Sequence, residues 1–261
     1  MVRAFNCTFI TIMSFAVAAT ADVIDVKTRD SNIRILVEGP ETPTHVIAIF
    51  AGGSGNTQIK DDGSIGKGRG NFAVRTRGLL NDHGFATAVV ASPDDNKDLR
   101  GHRRSDDYAT DVENVMAYLR KRFQGVSLWM HGTSRGTISI AMTVPKFKNA
   151  ANKPDGIVLS ASVTEPSNAS ADNVYDADLG NITGAVLVLH HKEDPCYITP
   201  ASNTPKLLKD LTKASPKKLM ILEGGGQNAR GGECGAKTQH GFIDMEKETI
   251  DAMVGWIKSL K

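Results

Sequence analysis

Eight apolar runs of five to nine residues recur along the chain, at 22–26, 33–39, 45–53, 85–91, 126–131, 156–162, 185–190 and 218–224. Runs such as "HVIAIF" and "AVLVL" do not alternate with polar residues, which predicts strands covered on both faces. Segments of helical period separate most of them: 71–83, 105–123, one starting near Ser134, 203–213 and 244–259. The helix over 105–123 has the fullest set of signals. Ser105 is placed to cap it, Asp106 and Asp107 suit the positive end of the macrodipole, and Val112, Val115, Met116 and Leu119 recur at helical spacing. Arg120, Lys121 and Arg122 close it before Gly125. Strands alternating with helices predict βαβ units and a mainly parallel sheet of about eight strands with helices on both faces. No helix separates the first runs, so the leading edge is expected to be antiparallel.

Composition fits one α/β domain. The chain has 261 residues, 40% of them hydrophobic, with 31 basic against 29 acidic side chains. That balance gives no reason to expect a nucleic-acid or anionic-membrane partner. A local basic cluster, Arg100, Arg103 and Arg104, is followed by Asp106 and Asp107 and reads as a solvated loop or a contact for an anionic substrate. The first 21 residues carry Arg3, an apolar run and an Ala19-Thr20-Ala21 cleavage pattern, the layout of a cleaved secretory signal. The run is too short for a comfortable membrane span. Residues 22–261 then form the mature domain, secreted or periplasmic, with no stable membrane insertion. Of three cysteines, Cys7 leaves with the signal, and Cys196 and Cys234 remain as a candidate disulfide or as two buried thiols.

The chemistry centres on "HGTSRGT", residues 131–137. Ser134 lies between Gly132 and Gly136, where a strand gives way to a helix. Small neighbours let strand and helix approach closely around a tight turn that exposes the hydroxyl. The backbone N–H of Arg135, at the helix start, then faces the space beside Ser134. A nucleophilic serine needs a base, and the base an orienting acid. Asp194 follows the strand 185–190, and His240 lies in "TQHGF" after the strand 218–224. Glu193 is the rival acid. The strand 45–53 ends in Gly52 and Gly53, before Ser54, so Gly53 or Ser54 can supply a second N–H to an oxyanion. His131 reads as a packing residue. His190 and His191 are neighbours on a strand and point to opposite faces, so they are not expected to share a metal. The Gly-rich stretch 52–70 lacks the phosphate-loop pattern. It reads as a functional loop, and 163–183 as a small lid.

With "AGGSGN", "HGTSRG", "HHKEDPC" and "QHGF" in this order, the chain resembles the α/β-hydrolase superfamily over nearly all of its mature length. It looks most like the small, capless dienelactone-hydrolase and esterase branches. The resemblance implies an eight-stranded sheet and hydrolysis of a small carboxylic ester through an acyl-enzyme, with no metal or organic cofactor. Two departures stand out. Ala51-Gly52 replaces a common His-Gly, and the nucleophile is serine where dienelactone hydrolases use cysteine. A peptidase or amidase of the same fold, and an exported binding protein retaining it, are the alternative readings. Specificity is expected from loops 54–70, 92–104 and 163–183.

Overall fold

The computed structural model describes residues 20–226 and 230–260. Residues 1–19, most of the expected signal segment, lie outside this range. Eight strands form a single sheet: β1 (Thr20–Thr28), β2 (Ser31–Gly39), β3 (His45–Phe50), β4 (Phe85–Pro93), β5 (Ser127–Thr133), β6 (Gly156–Ser160), β7 (Gly184–His191) and β8 (Ala214–Leu222). Their spatial order is β1-β2-β4-β3-β5-β6-β7-β8. β1 and β2 pair antiparallel, as do β2 and β4, and every later pairing is parallel. The expected sheet with its antiparallel leading edge is therefore present.

Alternation along the strands feeds two cores. On β3, Val46, Ala48 and Phe50 face one way, toward α3 (Asp106–Arg122), α4 (Arg135–Thr143) and α5 (Thr204–Asp210). Ile47 and Ile49 face the other way, toward α1 (Phe72–Arg75), α2 (Arg77–Asp82) and α6 (Glu246–Ser259). A strand covered on both sides has no polar face, which is why these runs are almost wholly apolar. Ser105 caps α3 as its sequence suggests, its side chain accepting from the Tyr108 N–H.

Some expectations need correction. The helix expected over 71–83 is two helices that meet at Thr76, whose hydroxyl bonds the Phe72 carbonyl. β8 starts at Ala214, four residues before the apolar run that announced it. Residues 163–183 hold two short 3₁₀ turns and pack beside α4. Among the described residues, no helix is long and apolar enough to cross a membrane.

His131 sits within β5, wholly buried, with Nε2 2.9 Å from Ser160 Oγ. Burial pushes its pKa from 6.5 down to about 3. A folded-state value below the unfolded one means a contribution that is complete above about pH 6.5 and is lost as pH falls toward 3. Urea unfolding should show wild-type stability falling through this window by up to about 1.4 kcal/mol per pH unit more steeply than in His131→Gln. Equal slopes would mean that His131 takes up its proton in the folded state.

Candidate active site

Ser134 joins β5 to α4 with φ 57° and ψ −129°, a conformation that non-glycine residues rarely adopt. The flanking glycines show why the chain tolerates it. A Cβ on Gly132 would run into the Gly136 carbonyl, and one on Gly136 into the carbonyl of Phe50, the last residue of β3. Ser134 occupies the N-cap position of α4, but its side chain makes no capping bond. The hydroxyl is not used to finish the helix. The Ser134 N–H bonds Ser160 O at 3.0 Å, which ties the turn to β6. Arg135 opens α4, and its N–H has no intrahelical acceptor. Its side chain is buried and reaches Ser167.

Asp194 lies on the turn after β7, its side chain fully buried. His240 lies on a 3₁₀ turn, Gln239–Gly241, and its Nδ1 is 3.0 Å from Asp194 Oδ2 and 3.2 Å from Oδ1. Asp194 also accepts from the Cys196 N–H at 2.9 Å and the Thr199 hydroxyl at 2.8 Å. His190 Nε2 stands 3.4 Å away and bonds the Thr199 carbonyl at 2.9 Å. Burial opposes ionisation of Asp194, but the hydrogen bonds of His190, His240 and the Cys196 N–H outweigh it and hold the carboxyl well below its usual range. Glu193 is exposed, so it is Asp194 that the fold brings to the imidazole. A carboxylate against Nδ1 places the ring proton there and leaves Nε2 as an acceptor.

Ser134 and His240 line one cavity of about 310 Å³. Its walls come from Gly52, Gly53, Gly68 and Gly70–Phe72 on one side and from Cys234, Ala236 and Gly241 on the other. Loops 92–104 and 163–183, expected to shape the site, do not line it. The histidine loop takes their place, anchored by a Cys196–Cys234 disulfide with Cα atoms 4.4 Å apart. Asp194, Cys196 and His240 could together face a metal. However, the cysteine sulfur is already bonded to Cys234, and Asp194 and His240 are bonded to each other. His190 and His191 bond carbonyls of different loops, Thr199 and Gly224.

The segment after β3 forms a tight turn in which the Gly55 N–H bonds Gly52 O at 3.0 Å and Gly53 has φ +60°. Arg103, expected in a solvated loop, is instead among the largest fully buried side chains. It donates from Nη2 to Gly53 O at 3.0 Å and from Nε to Ser139 Oγ of α4 at 2.9 Å. The Leu99 N–H bonds Ser54 O at 2.8 Å. Burial lowers the Arg103 pKa to about 10, still high enough for a cation at neutral pH. Arg100 and Arg104 do lie at the surface, paired with Asp98 and Asp172. In a trans peptide the N–H opposes the carbonyl. Gly52 O turns toward Gly55, so the Gly53 N–H points out of the turn. Of the two expected donors, Gly53 lines the cavity and Ser54 does not. Arg103 and Asn71, which also faces the cavity, are the residues that sequence reading missed.

The geometry defines an α/β-hydrolase fold. No protein-family model and no curated protein matches the chain. Solved structures do. An α/β hydrolase, MGS-M1, from a Medee basin deep-sea metagenome library superposes with TM-score 0.63 at 15% identity, over 93% of this chain and 98% of its own. A dienelactone hydrolase from Anabaena variabilis gives 0.62 at 13% identity, over 91% and 95%. Est1E from Butyrivibrio proteoclasticus, with ferulic acid bound, gives 0.58 at 14% identity, over 89% and 99%.

The strain at Ser134 is measurable. Glycine normally costs a helix or strand about 0.5–1 kcal/mol relative to alanine. At this φ the order should reverse, with Ser134→Gly more stable than Ser134→Ala by about 1 kcal/mol or more in denaturant unfolding. Alanine as the more stable variant would show that the elbow is unstrained.

Proposed function

We propose that the protein is a serine hydrolase that cleaves a small carboxylic ester through an acyl-enzyme. What carries this reading is that the strained Ser134 and the His240 of a buried Asp194–His240 pair line one cavity. In this mechanism Ser134 Oγ attacks the ester carbonyl carbon as His240 Nε2 takes the hydroxyl proton. Asp194 fixes the tautomer and stabilises the imidazolium. The Arg135 and Gly53 N–H groups receive the oxyanion, and Arg103 holds the Gly53 turn in place. The imidazolium then protonates the departing alkoxide. Water, activated by the same imidazole, releases the acid and regenerates Ser134. All of these groups come from the chain.

The volume of the cavity suits a small substrate. The neighbouring folds of an esterase and a dienelactone hydrolase favour an ester over an amide. The disulfide supports residence in an oxidising compartment, in keeping with export to the periplasm or medium.

A fluorophosphonate probe should label Ser134 in the wild type. Ser134→Ala should lose at least ~10³-fold in ester turnover. Near-normal turnover in that variant, or a wild type that neither labels nor hydrolyses, would falsify the assignment.

The disulfide closes a loop of 38 positions and should contribute about 4 kcal/mol on the chain-entropy model. Replacing both Cys196 and Cys234 with serine should lower the thermal midpoint and reduce kcat more than it raises KM, because a looser His240 loses orientation before substrate contact. An unchanged kcat in a destabilised variant would confine the bridge to a structural role.

A further inference from the structure

Asn71 stands at the N-cap of α1, a position that suits asparagine because its side-chain oxygen accepts a helix N–H. Here the side chain makes no capping bond. Its Oδ1 is buried without a hydrogen-bond partner among the described residues. The side chain instead lines the cavity with Ser134 and His240. A Cβ placed on Gly52 would lie 3.0 Å from Ser134 Cβ and 3.2 Å from Asn71 Nδ2, so the amide and the serine flank one spot.

The other polar groups of the cavity have duties. Thr133 Oγ1 is bonded to Ser160 Oγ at 2.7 Å, His240 to Asp194, and the Cys234 sulfur to Cys196. The remaining walls are glycine, alanine and Phe72. An amide that leaves its own helix uncapped to face such a cavity is placed to read a polar atom of the occupant. The carbonyl oxygen of an ester already has the Gly53 and Arg135 N–H groups. When Ser134 Oγ bonds the acyl carbon, the next carbon lies three bonds from Ser134 Cβ, within reach of a group beside Gly52.

We infer that Asn71 is a specificity residue: its Nδ2 donates to an oxygen on the carbon next to the scissile carbonyl, so the preferred substrates are esters of 2-oxygenated acids. This rests on the serine-hydrolase reading and adds its substrate class.

Phenyl methoxyacetate and phenyl butanoate make the test, since they differ by oxygen for methylene at that position. The ratio of their kcat/KM values, divided by the ratio of their hydroxide hydrolysis rates, removes intrinsic reactivity. The corrected preference for methoxyacetate should be roughly tenfold or more in the wild type and should vanish in Asn71→Leu. Asn71→Asp, of the same shape but without the donor, should lose it too and covers the case in which the leucine variant misfolds. An unchanged ratio overturns the inference. An equal loss on both esters also overturns it and moves Asn71 to the carbonyl oxygen they share. Fluorophosphonate labelling separates the two levels: labelled protein with an unchanged ratio overturns only the role of Asn71, whereas an unlabelled wild type overturns the hydrolase reading with it.

Discussion

The close approach of Gly136 to the carbonyl of Phe50 sets the geometry on which the rest of the site depends. β3 and β5 are parallel neighbours with Phe50 opposite Gly132, so the last residue of one strand lies beside the turn that ends the other. α4 begins directly over that point, and only a residue without a Cβ fits there. Because the helix lies so low, the chain leaving β3 must turn at once. It does so at Gly52, where a side chain would meet Thr133 and Ser134. The nucleophile turn and the turn opposite it are thus two sides of one contact. Arg103 spans them from below, holding Gly53 with one nitrogen and Ser139 of α4 with another.

The acid side is built differently, from polar satisfaction instead of steric exclusion. Asp194 is buried as an anion, a state that is costly unless each oxygen is met. The Cys196 N–H, the Thr199 hydroxyl and His240 meet them, and His190 positions Thr199 through its carbonyl. His240, by contrast, sits at the end of a long glycine-rich segment whose described residues form little regular structure. The disulfide joins that segment to residue 196, two positions from the carboxylate that the imidazole must find.

The sheet was legible because a strand covered on both faces leaves an apolar run that few other structures require. Ser134, Asp194 and His240 were legible as candidates because their neighbours or their strand-end positions mark them. Arg103 was not. Its burial comes from contacts 50 and 36 positions away, and locally it is one more charge among Arg100, Arg104 and Asp106. Asn71 was hidden because a non-capping asparagine and a capping one have the same local sequence. The break at Thr76 was hidden because it changes the backbone and not the apolar spacing. The start of β8 escaped because Ser215, Pro216 and Lys217 lie on an exposed edge, where no apolar run is needed.

That last strand has a further effect on the molecule. Among the described residues β8 pairs only with β7, so its outer side offers backbone groups to any passing chain. Pro216 has no N–H to donate, and Lys217 and Lys218 follow it directly. Lys217 is itself drawn over the carbonyls of Leu208 and Leu211, at 2.8 and 2.9 Å. A second sheet trying to zip on here would have to strip water from exposed lysine side chains. The exposed Ile221 lies on this same edge strand, three positions beyond Lys218, where neighbouring charge counts against intermolecular β-structure.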